Sequence, residues 1–133
     1  MRLGVVSNLA EGIFDFMITG NAEKISPFLP LTNAESLNEL FQRSEDCPIV
    51  LFKHSSTCPI SGAAYKEMEN FDGEVAIIVI QQSRDISKEV EQRTGLRHES
   101  PQVIIVRNGT AVWNASHWDI KADAVARAID ENR

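Results

Sequence analysis

One stretch decides the fold of this chain: Ile49-Val50-Leu51-Phe52-Lys53-His54-Ser55-Ser56-Thr57-Cys58-Pro59-Ile60-Ser61. Its first four residues form a continuous apolar run, which is typical of a central strand covered on both faces. Proline is favoured at the first helical position, so Pro59 indicates that a helix begins directly after Cys58. A helix start stabilises an anion, and the thiolate is the reactive form of cysteine. The stretch therefore predicts a reactive thiol where a strand passes into a helix.

Strands and helices alternate on either side of this stretch. Apolar spacing, prolines and glycines predict, in the first half, an edge strand over 28–31, a helix over 33–44 capped by Thr32, the strand over 49–52 and a helix from 59 to about 71. They predict next a strand over 75–80 and a helix over 85–94 that is closed by Gly95. The last elements predicted are strands over 102–106 and 110–114, joined by an Asn108-Gly109 hairpin, and a helix over 120–129 capped by Asp119. The strand-helix-strand order of the first half implies parallel strands. We therefore predict an α/β fold, with a mixed sheet of four or five strands and helices on both faces.

Length and composition fit one compact domain, since the chain has 133 residues of which 43% are hydrophobic and 24% charged. The formal net charge of −6 argues against a nucleic-acid surface, which needs a basic stripe. No apolar run approaches the roughly 20 residues of a membrane span. Two cysteines are too few for a disulfide-stapled secreted scaffold. We therefore expect a cytoplasmic protein, without a membrane segment, in which a reactive cysteine works as a free thiol.

The first 26 residues are set apart from the rest. Apolar residues there fall near helical spacing, but Glu11 and Asp15 interrupt the run, so it does not form a targeting signal. We interpret residues 1–26 as an N-terminal extension of unknown role and residues 27–133 as the domain.

The strand-to-helix cysteine and the later Ser100-Pro101, which opens a strand, resemble the thioredoxin fold. The resemblance covers roughly residues 27–133. In that superfamily a Cys-x-x-Cys motif faces a cis proline across a groove. The resemblance implies that Pro101 is the cis proline, whereas the residues alone also allow an ordinary trans proline at a strand start. In the cis geometry the resemblance implies that the Ser100 backbone pairs with a bound substrate chain. The second cysteine of the motif is replaced here by Ser61.

A longer pattern is more specific: Lys53-His54-Ser55-Ser56-Thr57-Cys58-Pro59-Ile60-Ser61, then Ser100-Pro101-Gln102, then Ala115-Ser116-His117-Trp118-Asp119-Ile120. It resembles the monothiol bacilliredoxins, a thioredoxin-like family implied to remove bacillithiol from mixed disulfides on cytoplasmic proteins. The resemblance implies S-thiolated client proteins and an upstream reductase as partners. It implies bacillithiol, or a similar small thiol, as co-substrate and no bound cofactor. The implied substrate-binding residues are Thr57, Pro59, Ile60, Ser100 and Pro101.

Cys58 is the candidate catalytic residue, and the reaction it can complete depends on whether a second thiol is near. A hydroxyl does not displace a thiol, so Ser61 cannot resolve a mixed disulfide. Ser61 is either an ordinary first-turn serine or a donor to the Cys58 sulfur. Cys47 lies before the strand and Cys58 after it, which separates them by roughly 20 Å, whereas a disulfide needs Cα atoms within about 7 Å. We interpret Cys47 as structural or incidental.

The remaining lysine, histidine and tryptophan candidates are interpreted mainly as surface or structural residues. Lys53 and His54 are expected to be surface residues, although His54 could also add positive charge near Cys58. Trp118 is expected to pack rather than to line a substrate site, and Trp113 to be structural. His54, Cys58 and His117 do not have a zinc spacing, so no metal site is predicted.

Two other functions stay open. An iron–sulfur cluster carrier resembling the monothiol glutaredoxins would have Cys-Gly-Phe-Ser, but Pro59-Ile60 replaces Gly-Phe here. A non-enzymatic thioredoxin-like binding module would use the groove, or residues 1–26, to hold partners.

Overall fold

The computed structural model describes residues 26–133, and the interpretation of residues 1–25 lies outside the described residues. Five strands and four α-helices follow one another in this part of the chain, with one short 3₁₀ turn. In order they are β1 (Phe28–Pro30), α1 (Ala34–Arg43), β2 (Ile49–His54), α2 (Pro59–Glu69), β3 (Val75–Val79), α3 (Arg84–Thr94), β4 (Gln102–Arg107), β5 (Thr110–Ser116), the 3₁₀ turn (His117–Asp119) and α4 (Ala122–Glu131).

The strands form one mixed sheet in the order β1-β3-β2-β4-β5. β1 and β2 both run parallel to β3, whereas β4 is antiparallel to β2 and β5 is antiparallel to β4. The predicted α/β class and mixed sheet are confirmed. The carboxyl ends of β2 and β3 and the amino end of β4 consequently lie at the same edge of the sheet.

Apolar side chains cover both faces of the sheet, as the unbroken apolar run of β2 predicts. Leu51 points to the face covered by α1 and α3, and Phe52 points to the face covered by α2 and α4; both are fully buried. The residues that complete the first cluster from the helices are Leu37, Leu40, Ile86 and Val90. Those that complete the second are Ala64, Met68, Val125 and Ala128. β2 is therefore fixed from both sides, which makes its carboxyl end a rigid place for a reactive group.

Two predicted helix caps are wrong. The first helix is capped by Asn33 rather than Thr32, since the Asn33 Oδ1 accepts a hydrogen bond from the Ser36 N–H at 2.8 Å. Asp119 lies in the 3₁₀ turn, and the buried, extended Ile120 separates that turn from α4. The last helix therefore begins later than predicted, at Ala122.

The predicted hairpin between β4 and β5 is confirmed. Asn108 and Gly109 both have positive φ, 55° and 73°. A two-residue turn needs this backbone conformation to match the right-handed twist of the two strands it joins. Gly95 ends α3 in the left-handed region, as predicted, with φ 73°. No helix within residues 26–133 is long and apolar enough to cross a membrane.

Candidate active site

Cys58 is the N-cap of α2, between the end of β2 and the first helical residue, Pro59. Its backbone is extended, with φ −102° and ψ 123°, and its carbonyl accepts the Gly62 N–H at 3.0 Å. The Cys58 side chain is half-buried and forms no disulfide. The predicted strand-to-helix position of Cys58 is therefore confirmed.

Gln81 holds the loop that leads to Cys58, which the sequence reasoning missed. Its Oε1 accepts the Ser56 N–H at 3.1 Å, and its Nε2 donates to the Ser55 Oγ at 2.8 Å and the Thr57 Oγ1 at 3.3 Å. Gln81 follows β3, whose carboxyl end lies beside that of β2. A polar residue directly after the strand parallel to β2 was the signal that could have identified it.

Ser61 lies in the first turn of α2 and is fully buried. Its Oγ accepts a hydrogen bond from the Ser55 N–H at 3.0 Å, so it ties the helix to the loop before Cys58. The hydroxyl proton remains for a second partner, so this bond is compatible with both alternatives for Ser61. Donation to the Cys58 sulfur stays a prediction.

The predicted substrate-binding residues lie around Cys58 and at the start of β4. Thr57 and Pro59 are exposed and Ile60 is half-buried. The Ser100–Pro101 peptide bond is cis, as the resemblance implies. Because β4 is antiparallel to β2, Pro101 lies at the edge of the sheet where β2 ends. Their binding role stays a prediction.

Two polar features mark the region near Pro101. The Ser100 Oγ is buried and has no hydrogen-bond partner within the described residues, which is uncommon for a buried polar atom. The Pro101 carbonyl accepts the His117 N–H at 3.0 Å, which brings the 3₁₀ turn next to it. His117 Nδ1 lies 3.6 Å from the Glu99 Oε1.

Trp118 corrects another expectation. It lies in the 3₁₀ turn, which contacts α2, and 62% of its surface is exposed. The interpretation of Trp118 as a packing residue is therefore wrong. Trp113 is half-buried against the core, as expected for a structural residue.

His54 is neither a surface residue nor a source of positive charge. Its ring packs between Phe52 and Tyr65, with centroids 5.6 Å and 4.9 Å away. The His54 Nδ1 is buried without a hydrogen-bond partner in the described part of the chain. Burial lowers the pKa of His54, and the contact with the Ser61 backbone opposes this shift only partly. The imidazole is therefore held in its neutral form near neutral pH.

The lowered pKa of His54 makes stability depend on pH. Between the folded and unfolded pKa values the unfolded chain binds more protons, so stability is full above about pH 6.5 and falls as the pH drops below it. We expect the midpoint of urea unfolding to decrease between about pH 7.5 and about pH 5.5. His54→Phe should reduce this decrease, leaving the part due to His98, whose pKa is also lowered by burial and by Lys53. An equal decrease in wild type and His54→Phe would contradict the assignment.

Lys53 is also not the surface residue that was expected, because it is fully buried. Its Nζ lies 3.2 Å from the His98 Nδ1, and burial lowers the pKa of Lys53 against the opposing charge of Glu91. Cys47 is exposed and lines a shallow pocket of about 260 Å³ at the opposite end of β2. The structure therefore brings Lys53, and not Cys47, close to the edge of the sheet that holds Cys58.

Comparison with known proteins decides the family. The model of the family described as monothiol bacilliredoxin BrxC matches residues 29–125, which is more than half of the chain. The chain belongs to the monothiol bacilliredoxin family. The predicted resemblance is thereby confirmed.

Solved structures agree with this family assignment. One, proposed to be an oxidoreductase with a thioredoxin fold, is 32% identical with a TM-score of 0.71, over 77% of this chain and 93% of that one. Thioredoxin NaTrxh from Nicotiana alata is 16% identical with a TM-score of 0.64, over 86% of this chain and 99% of that one. Mitochondrial thioredoxin 3 from Saccharomyces cerevisiae is 16% identical with a TM-score of 0.60, over 78% and 94%. The two thioredoxins show the thioredoxin fold, and the bacilliredoxin family supports a thiol redox function.

Proposed function

We propose that this protein removes bacillithiol, or a similar small thiol, from mixed disulfides on cytoplasmic client proteins through Cys58 alone. The observation that carries the proposal is the pair of residues at the start of α2. Cys58 is a half-buried free thiol at the N-cap, and the position three residues later, where a resolving cysteine would stand, is occupied by the buried Ser61.

The first step is an exchange of one sulfur–sulfur bond for another. The Cys58 thiolate attacks the small-thiol sulfur of the mixed disulfide, the client thiolate leaves, and the small thiol becomes joined to Cys58. No electrons are gained or lost overall, because one disulfide breaks as another forms. The Ser100 backbone is the group that would hold the client chain at this step, as the resemblance implies.

The second step needs a thiol from outside the protein. β2 has six residues, so it separates Cys47 from Cys58 by roughly 20 Å, and Cys47 cannot reach the Cys58 adduct. A second small thiolate attacks the small-thiol sulfur of the adduct, which releases Cys58 as a thiolate and forms the disulfide of two small thiols. An upstream reductase would then reduce that disulfide.

The test uses one client protein loaded in turn with bacillithiol, glutathione or coenzyme A. Wild-type protein should release the client thiol and gain the mass of bacillithiol on Cys58, while Cys58→Ala should do neither. Cys47→Ala is the matched control and should behave like wild type. Equal release by wild type and Cys58→Ala would show that the mechanism is wrong, and faster transfer of glutathione or coenzyme A would reassign the small thiol.

A further inference from the structure

Lys53 is a lysine inside the core of the sheet. It lies on β2 one residue before His54, and its strand neighbours are Ile78 on β3 and Gln102 on β4. It is 0% exposed, like Leu51 and Phe52 directly before it on the same strand. A lysine at such a place is unusual, because lysine is almost never fully buried unless it is paired.

The amine of Lys53 contacts an imidazole nitrogen rather than a carboxylate. Its Nζ lies 3.2 Å from the His98 Nδ1, and no carboxylate oxygen of residues 26–133 forms an ion pair with it. Glu91 acts on Lys53 from a greater distance, while its own Oε2 accepts the His98 N–H at 2.9 Å. Burying an ammonium group without a carboxylate partner costs free energy, because no ion pair offsets its desolvation. Folding stability therefore does not explain why a lysine stands here.

The partner of Lys53 belongs to the loop between α3 and β4, which ends at Ser100–Pro101. Side chains hold the backbone of this loop at consecutive residues. The Gln102 Nε2 donates to the Arg97 carbonyl at 3.3 Å, Glu91 accepts the His98 N–H, and the Gln102 Oε1 accepts the Glu99 N–H at 3.3 Å. The contact of Lys53 with the His98 ring, which the Ser87 Oγ also approaches to 3.3 Å, is a side-chain tie between this loop and β2, in addition to the backbone pairing of Lys53 with Gln102.

This tie connects the two halves of the candidate site. β2 continues through the loop held by Gln81 to Cys58, and His98 stands two residues before Ser100. We propose that the Lys53–His98 contact positions the Ser100–Pro101 end of the loop relative to Cys58 for the client chain, so that Lys53 serves turnover at the expense of stability. The inference rests on the proposed function, since it concerns how the client is held. Lys53 and His98 are positioning residues, because neither is shown to contact the reacting sulfur.

Lys53→Met tests the inference because methionine keeps the length of the side chain and removes the amine. We expect kcat/KM for a client mixed disulfide to fall at least about tenfold, mainly through KM, while the rate at which iodoacetamide alkylates Cys58 stays within about twofold. The thermal midpoint should be unchanged or higher. Lys66→Met is the matched control, since Lys66 is an exposed lysine on α2, and it should leave all three quantities unchanged.

A second variant tests whether the two residues act through one contact. His98→Ala should reproduce the loss of kcat/KM, and the double variant should lose no more than either single one. Additive losses would overturn the inference. So would a Lys53→Met protein that is less stable or does not fold, because the lysine would then be structural. Full activity of Lys53→Met beside an active wild type would overturn this inference alone, whereas a wild type inactive on every loaded client would overturn the proposed function with it.

Discussion

Replacing Cys58 with serine is expected to lower the rate of small-thiol transfer at least about 1000-fold, as expected when the nucleophile of a covalent mechanism is lost. Serine keeps the size and the N-cap position of Cys58, and its hydroxyl does not attack a disulfide. The rate is measured as the appearance of free client thiol under single-turnover conditions. Because serine is itself a favoured N-cap residue, the thermal midpoint should not fall. The loss of transfer can then be assigned to the sulfur rather than to α2.

Cys47→Ser is the control, and it is expected to change the rate by less than about twofold. Cys47 is exposed, and its sulfur lies 3.8 Å from the Arg43 carbonyl oxygen. The whole length of β2 lies between Cys47 and Cys58, so serine at position 47 removes no group from the site. A large loss of rate in Cys47→Ser, or a Cys47–Cys58 disulfide trapped during turnover, would contradict a mechanism in which Cys58 works alone.

The sequence predicts the parts of this site that depend on local signals. An apolar run followed by Cys58 and Pro59 specifies a strand that ends where a helix begins, and both halves of that prediction depend on adjacent residues. The Asn108-Gly109 hairpin is predictable for the same reason, since both residues accept positive φ. The position of Pro101 opposite the end of β2 came instead from resemblance to a known fold.

The errors at Lys53 and His54 concern contacts with residues outside the strand that carries them. Nothing in the strand itself shows that Lys53 is buried, because its amine contacts His98, 45 residues later. The sheet order brings that loop beside β2, and only the completed topology reveals it. His54 was misjudged for the same reason, since its neighbour Tyr65 comes from the next helix.

Trp118 was expected to be buried and is exposed, whereas Lys53 was expected to be exposed and is buried. Tryptophan is highly buried on average, and on that basis it was expected to pack. The 3₁₀ turn leaves most of its surface exposed while the next apolar residue, Ile120, is buried. A turn between a strand and a helix reverses which residue points inward, and the residue types alone do not show this.

A second cysteine at position 61 should change the end product of the reaction. In Ser61→Cys we expect the Cys58–bacillithiol adduct to be replaced by a disulfide between Cys58 and the introduced thiol, with release of the small thiol. Residues three apart at a helix start have Cβ atoms about 5–6 Å apart, which is close enough for a disulfide after small adjustments. The new thiol also acts within the molecule, where its effective concentration is of the order of millimolar or more.

Intact mass after one turnover distinguishes the two outcomes. Wild type should carry the added mass of the small thiol, and Ser61→Cys should instead be lighter than its reduced form by two hydrogens. Further turnover of the variant should then require a reductant for its own disulfide, rather than a small thiol. The measurement is made after rapid acid quenching, which protonates thiolates and stops exchange.

Ser61→Ala distinguishes the effect of introducing a thiol at position 61 from the effect of removing the hydroxyl. Both substitutions weaken or remove the bond that the Ser61 Oγ accepts from the Ser55 N–H, so any change caused by a looser loop should appear in both. Only Ser61→Cys can resolve the adduct, so Ser61→Ala should accumulate it as wild type does. If Ser61→Cys also accumulates the adduct to the wild-type level, then burial of position 61 keeps its side chain away from the Cys58 sulfur. The missing second cysteine would then not be what stops the reaction at the mixed disulfide.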